Sequence, residues 1–241
     1  MSEIKINKIT ISKIKPLRIN LLNSNGNFSA SGFFRKKKVK IYSPVEKSQI
    51  KLREEISKSK LGKYFPKLIG YNKKFIVEEW INGKTLKELK YRSKKRKIFI
   101  EKKIFSIIND LKRFKPQKKS YSFDYIAYIY KRSGKKKDKL FYDLKKLPTY
   151  LNHNDLSLDN IIFRNGRLVI IDNEFLGYNN GWILNIKNSF LKDRISFYEN
   201  LVSEQDIQKI WKIRKNWKNK IKIKLIKSVF TLKKRFLWLI N

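Results

Sequence analysis

The chain reads as an α+β protein of two lobes, β-rich first and mostly helical after. Three observations predict this. Its 241 residues suit one large domain or two small lobes. Apolar residues alternate with polar ones through the first forty positions, and from about Lys84 to Leu147 the pattern turns helical. Asn82-Gly83 lies between the two regimes as a turn, so the seam is expected there: residues 1–82 form the first lobe, 83–217 the second, and 218–241 a basic amphipathic tail.

In the first lobe, Ile4, Ile6, Ile9 and Ile11 alternate with polar residues as strand residues do, Asn23–Gly32 is turn-rich, and Phe33–Tyr42 reads as one strand. Ser43-Pro44-Val45-Glu46 looks like a helix start: a capping serine, a proline at the first helical position and a glutamate that completes a capping box. That helix is expected to run to about Leu61 and stop at Gly62. Phe75–Trp80 is another strand. Pro116 and Gly134 interrupt the helical region that follows.

Composition narrows the chemistry. With 59 Lys+Arg against 20 Asp+Glu, the formal net charge is +39, a field that attracts polyanions: nucleic acid, anionic membrane or phosphorylated molecules. No cysteine and only one histidine exclude thiolate nucleophiles, disulfides and multi-His metal sites, which leaves a hard, oxygen-bound cation such as Mg²⁺ as the metal to expect. No apolar run is long enough to span a bilayer, and a cytoplasmic protein is expected, possible contact with the inner membrane face included.

The most informative stretch is Leu151–Tyr178. Asn165-Gly166 between Ile161–Phe163 and Leu168–Ile171 is a strong two-residue hairpin signal. A type I′ turn there pairs Arg164 with Arg167, Phe163 with Leu168 and Ile162 with Val169. Asn160 then falls opposite Ile171, one residue short of Asp172. An amide oxygen and a carboxylate side by side suit shared coordination of Mg²⁺, and Asp155, five residues before Asn160, is the acid best placed to face the same spot. The spacing His153-x-Asp155-x-x-x-x-Asn160 with a downstream Asp172 is that of phosphoryl transfer, in which the loop aspartate orients the acceptor hydroxyl and the Asn and second Asp hold the metal. His153 reads as a packing anchor of the loop. A Ser-His-Asp hydrolase would need a G-x-S-x-G elbow, and none is present.

HNDLSLDNIIF followed by IIDNEFLGYN resembles the choline/ethanolamine kinases and the wider aminoglycoside-phosphotransferase family, densely over Asn152–Asn179. The resemblance implies a bilobal, protein-kinase-like fold that uses ATP and Mg²⁺, with Asp155 as the catalytic residue and Asn160 and Asp172 as metal ligands. Asp172-Asn173-Glu174 keeps the family's Asp-x-Glu, although Asn173 replaces the usual aromatic and Asn185 a customary Asp. Lys40, flanked by Val39 and Ile41, is similar to the strand lysine that meets the phosphates. Glu54, or Glu55 one residue on, would be its ion-pair partner. Ile76–Gly83 looks like the hinge, with the Glu79 carbonyl and the Ile81 amide facing adenine. Gly26 and Gly32 do not make a G-x-G-x-x-G loop.

The acceptor stays open between an amino alcohol such as choline or ethanolamine and a sugar. A more diffuse similarity to lipopolysaccharide core kinases, carried by Lys40-Ile41-Tyr42-Ser43-Pro44 and the basic tail, points to a lipid-linked sugar at a membrane surface. An inactive kinase-like protein or a nucleic-acid binder is the remaining class; no RRM, KH or helix-turn-helix signature accompanies the charge.

Overall fold

A computed structural model describes residues 3–17, 28–89, 94–117, 123–180 and 212. Its first lobe is a six-stranded antiparallel sheet: β1 (Glu3–Ile6), β2 (Ile9–Pro16), β3 (Ser29–Phe34), β4 (Lys37–Tyr42), β5 (Leu68–Tyr71) and β6 (Ile76–Glu79), in the spatial order β1-β2-β3-β4-β6-β5. The isoleucine alternation builds its core, for Ile6, Ile11, Ile14, Ala30, Val39, Ile41 and Val77 close one apolar cluster. Period-two geometry then turns Lys40 and Tyr42 to the opposite face. The β4–β6 register sets Lys40 beside Glu78 and Tyr42 beside Ile76 on that face.

Phe33–Tyr42 is two strands rather than the one expected. The chain reverses at Arg35-Lys36, both at positive φ (47° and 64°), and pairs Phe34 with Lys37. A turn made by two basic residues carries no glycine or asparagine signal, so composition hides it.

The helix after β4 also starts later than its sequence suggests. α1 spans Ser48–Lys58 and continues into a 3₁₀ segment, Lys60–Tyr64, that contains Gly62. Ser43 does not cap it, because its hydroxyl accepts the Phe28 amide instead (2.9 Å). No side chain caps the helix at Lys47; Gln49, in its first turn, accepts the amide of Glu46 just before it at 2.7 Å.

The second lobe holds α2 (Lys94–Arg113), α3 (Tyr125–Ser133) and α4 (Lys139–Lys146), followed by β7 (Tyr150–Asn152), the hairpin β8 (Ile161–Arg164) and β9 (Arg167–Ile170), and β10 (Gly177–Asn179), which pairs antiparallel with β7. Gly134 ends α3 in the left-handed conformation (φ 68°), a C-cap that favours glycine. A large core joins these helices to Leu52 and Ile56 of α1. The chain enters this lobe at Gly83, where the backbone runs so close to the hairpin that a Cβ would lie 2.6 Å from Ile162. Leu86 then donates its amide to Ile161 (2.8 Å) and Lys87 to Leu158 (3.2 Å), which fixes the crossing turn against the loop carrying Asn160.

Candidate active site

The hairpin folds in the register its sequence dictates. Ile161 pairs with Ile170, Ile162 with Val169, Phe163 with Leu168 and Arg164 with Arg167, around Asn165 and Gly166 at φ 47° and 74°. One step outward the Ile171 amide donates to the Asn160 carbonyl (2.9 Å), so Asn160 and Asp172 leave the hairpin base next to each other. Asn160 closes a 3₁₀ turn, Leu158–Asn160, and its Nδ2 donates to the Asp155 carbonyl at 2.8 Å. That bond uses the amide nitrogen and leaves the amide oxygen as the group able to face a cation. It also ties Asp155, half-buried, to the end of the loop that carries Asn160.

His153 is fully buried, and its Nε2 donates to the Ile171 carbonyl at 3.0 Å, which pins the loop carrying Asp155 to the residue before Asp172. Burial pushes the imidazole below its usual value, against the pull of Asp155 and Asp172. A neutral, enclosed ring is an anchor, as the sequence suggests.

Asp172 is held in the left-handed region (φ 65°, ψ 50°), a costly conformation for a residue other than glycine. Its Oδ1 accepts from the Lys40 ammonium at 2.5 Å, and Glu174 Oε1 lies 3.6 Å from the same nitrogen. Burial would lower the pKa of Lys40, yet Asp172 and Glu174 together hold it above its ordinary value. Lys40, Asn160 and Asp172 line one open cleft of about 570 Å³ with Leu17, Pro66, Glu78, Glu79, Trp80 and Ile81. The expected phosphate lysine, metal pair and hinge therefore meet in a single space. Trp80 carries Lys38 over its ring at 3.7 Å, and the Glu79 amide is used by the Lys67 carbonyl (2.9 Å).

Glu54 is not part of this arrangement. It bonds Lys58 at 2.8 Å and Lys51 at 3.3 Å, one turn away on either side. Those lysines and the Tyr71 hydroxyl pull its carboxyl down to about 2. Glu55 is turned elsewhere too, accepting the Gln117 amide at 2.8 Å. The reason is the register of α1. Leu52 and Ile56 fix its buried face, and the polar residues on that face are Gln49 and Arg53. Arg53 meets Glu78 at 2.5 Å, so the helix offers the site a cation and Lys40 finds its carboxylates in the Asp172–Glu174 segment. Sequence reasoning passed over Arg53, Gln49, Glu78 and a role for Glu174. The signal for Arg53 was available in its spacing, three residues before Ile56. Asn185 and the tail 218–241 lie outside the described residues.

The donor set fits Mg²⁺: a carboxylate and an amide oxygen beside a lysine suit a cation that takes its remaining ligands from phosphate and water. Among the described residues no cluster of three or more His, Cys, Asp or Glu could hold a metal by itself.

No protein-family model matches the sequence, and a comparison with curated proteins finds no match. Solved structures do match. The streptomycin–ATP ternary complex of APH(2")-IIa superposes with a TM-score of 0.60 at 15% identity over 92% of both chains. ADP-bound aminoglycoside phosphotransferase APH(2'')-Ib gives 0.56 at 16% identity over 89% of this chain and 86% of that one. LicA in complex with AMP gives 0.51 at 16%, again over 89% and 86%. The chain thus has the bilobal, protein-kinase-like α+β fold found in aminoglycoside phosphotransferases and in LicA.

Proposed function

We propose that the protein is an ATP- and Mg²⁺-dependent phosphotransferase that moves the γ-phosphate of ATP to a hydroxyl of a small molecule, an amino alcohol or a sugar. The observation that carries this reading is the convergence of Lys40, Asn160 and Asp172 on the cleft lined by the hinge residues Glu79 and Ile81. ATP, ADP and AMP in the complexes of similarly folded proteins support the nucleotide.

In this reading residues 1–82 clamp the nucleotide and 83–217 supply the chemistry. The Glu79 carbonyl and Ile81 amide receive adenine. Lys40 leaves Asp172 for the phosphates, and Asn160 and Asp172 hold Mg²⁺. A cation held by those two residues would supply neutralisation of charge on the transferring phosphoryl group and the leaving phosphates. Asp155 orients the acceptor hydroxyl and accepts its proton as the acceptor oxygen bonds the γ-phosphorus and the bond from that phosphorus to the β–γ bridging oxygen breaks, releasing ADP. The Asn160–Asp155 bond fixes that loop. His153 takes no proton; it keeps the loop and Ile171 together.

Net charge favours a second reading for the acceptor alone. A body at +39 repels a quaternary ammonium and draws in anionic sugars, lipid-linked core sugars included, so the enzyme would work at a membrane surface. Among the described residues no helix is long and apolar enough to cross a membrane. An ADP-release screen over choline, ethanolamine, aminoglycosides and phosphorylated core sugars decides between acceptors. Mg²⁺-dependent turnover with any one of them supports the assignment, and turnover with none, while a nucleic acid binds tightly, replaces it.

A further inference from the structure

α1 reaches the catalytic segment through a cation. Arg53 is 1% exposed, the largest wholly enclosed side chain among the described residues. Its Nε donates to Glu78 Oε1 at 2.5 Å and its Nη2 to the Pro66 carbonyl at 2.5 Å. Glu78, equally buried, accepts two further donors: the Tyr42 hydroxyl (3.2 Å) and Asn173 Nδ2 (3.2 Å to Oε2). Asn173 is the residue between Asp172 and Glu174, the two carboxylates that hold Lys40. A few ångströms on, Gln49 of the same helix donates its Nε2 to the Glu174 and Leu176 carbonyls (3.1 and 2.7 Å).

Stability alone does not call for this arrangement. Apolar residues of similar volume commonly replace a buried Arg–Glu pair without loss. The network also leaves Arg53 Nη1 and Asn173 Oδ1 buried with no hydrogen-bond partner. What an apolar pair could not do is grip Asn173. We propose that Arg53, Glu78 and Asn173 are positioning residues that couple α1 and the hinge strand to the backbone of Asp172, fixing that carboxylate for its cation. A charged helix residue usually reaches the site through the strand lysine; here the helix reaches it through Glu78 and Asn173, and Lys40 stays free of the helix. The proposal rests on the phosphotransferase reading.

The test uses the full chain and two variants. Asn173→Leu cuts the last link and fills its space. Arg53→Met with Glu78→Met removes the pair together and leaves no buried charge behind. Binding of a fluorescent ATP analogue is titrated with Mg²⁺, and thermal unfolding is recorded alongside. Residues that orient a metal ligand typically change metal affinity 10–100-fold. Both variants should therefore unfold within a few degrees of the parent and need at least about 10-fold more Mg²⁺ for half-saturation. Asn173→Leu, whose residue does not line the cleft, should bind the analogue without Mg²⁺ as the parent does. Asn173→Gln, which keeps the donor, should recover part of that loss. Parent-like Mg²⁺ dependence in Asn173→Leu overturns the proposal, whether or not the double variant folds. A parent chain whose analogue binding ignores Mg²⁺ overturns the phosphotransferase reading itself, a result read before any variant is made.

Discussion

Replacing Lys40 by methionine removes the cation between Asp172 and Glu174 while keeping most of the side-chain volume. Breaking a fully buried pair by deleting one partner costs about 3–5 kcal/mol. This site is less enclosed: the Lys40 side chain is 15% exposed, Glu174 5% and Asp172 34%. Solvent around Asp172 screens part of the repulsion left behind, which brings the expected loss to about 2–3 kcal/mol. For a chain of this length each kcal/mol is about 2–4 °C in Tm, so Lys40→Met should unfold about 4–12 °C below the parent at pH 7.5. The sign with pH follows from the direction of the shift. The Lys40 pKa is raised above 10.5, so the ammonium's contribution is fully present below pH 10.5 and fades as pH climbs through the raised value. The gap between parent and variant should accordingly narrow above pH 10.5. Thermal unfolding followed by circular dichroism over pH 7–11 reads both effects, with Lys37→Met, an exposed lysine of the same strand, as control. If Lys40→Met and Lys37→Met unfold together with the parent, the Lys40–Asp172–Glu174 cluster is not a stabilising unit and the reasoning fails.

Three further outcomes follow from the same geometry. Glu54→Gln should leave nucleotide binding and turnover unchanged, since its partners are Lys51 and Lys58; a defect matching Lys40→Met would place Glu54 in the site after all. His153 has a folded pKa below 6.5, so the unfolded chain takes up the proton first and stability drops as pH falls below about 6.5; His153→Gln should flatten that part of the Tm–pH curve, and an unchanged curve would remove His153 as its source. Gly83→Ala puts a Cβ 2.6 Å from Ile162 at φ 152° and should cost about 1–3 kcal/mol in urea unfolding, whereas a neutral result would mean that Gly83 is not closely packed on the hairpin.

Most of what sequence reasoning recovered rests on residues whose local chemistry allows one outcome. Asn165-Gly166 accommodates the positive φ values of a type I′ turn, and once that turn is placed the register of Ile161–Ile170 and the adjacency of Asn160 and Asp172 follow. Lys40 was legible because Val39 and Ile41 must face the sheet core. What stayed hidden depends on tertiary competition. Arg35 and Lys36 turn the chain with no helpful side chain, so the β3–β4 reversal is imposed by the strands on either side. Ser43 could cap a helix but is taken by the Phe28 amide, and α1 starts at Ser48 with no side-chain cap. Glu54 looked like the partner for Lys40 because the resemblance implies a glutamate from the following helix, yet α1 is oriented by Leu52 and Ile56, and their burial faces Arg53 inward and leaves Glu54 between two lysines. A charge pairing inferred before helix orientation is known cannot distinguish these.

The measurement closest to the central claim is single-turnover transfer from radiolabelled ATP to the best acceptor of the screen, comparing the parent with Asp155→Asn. In the proposed reading Asp155 serves the acceptor hydroxyl, so the variant should bind Mg²⁺–ATP as the parent does and transfer phosphate about 100-fold more slowly or worse. Asp155→Asn that transfers at the parent's rate would contradict the account.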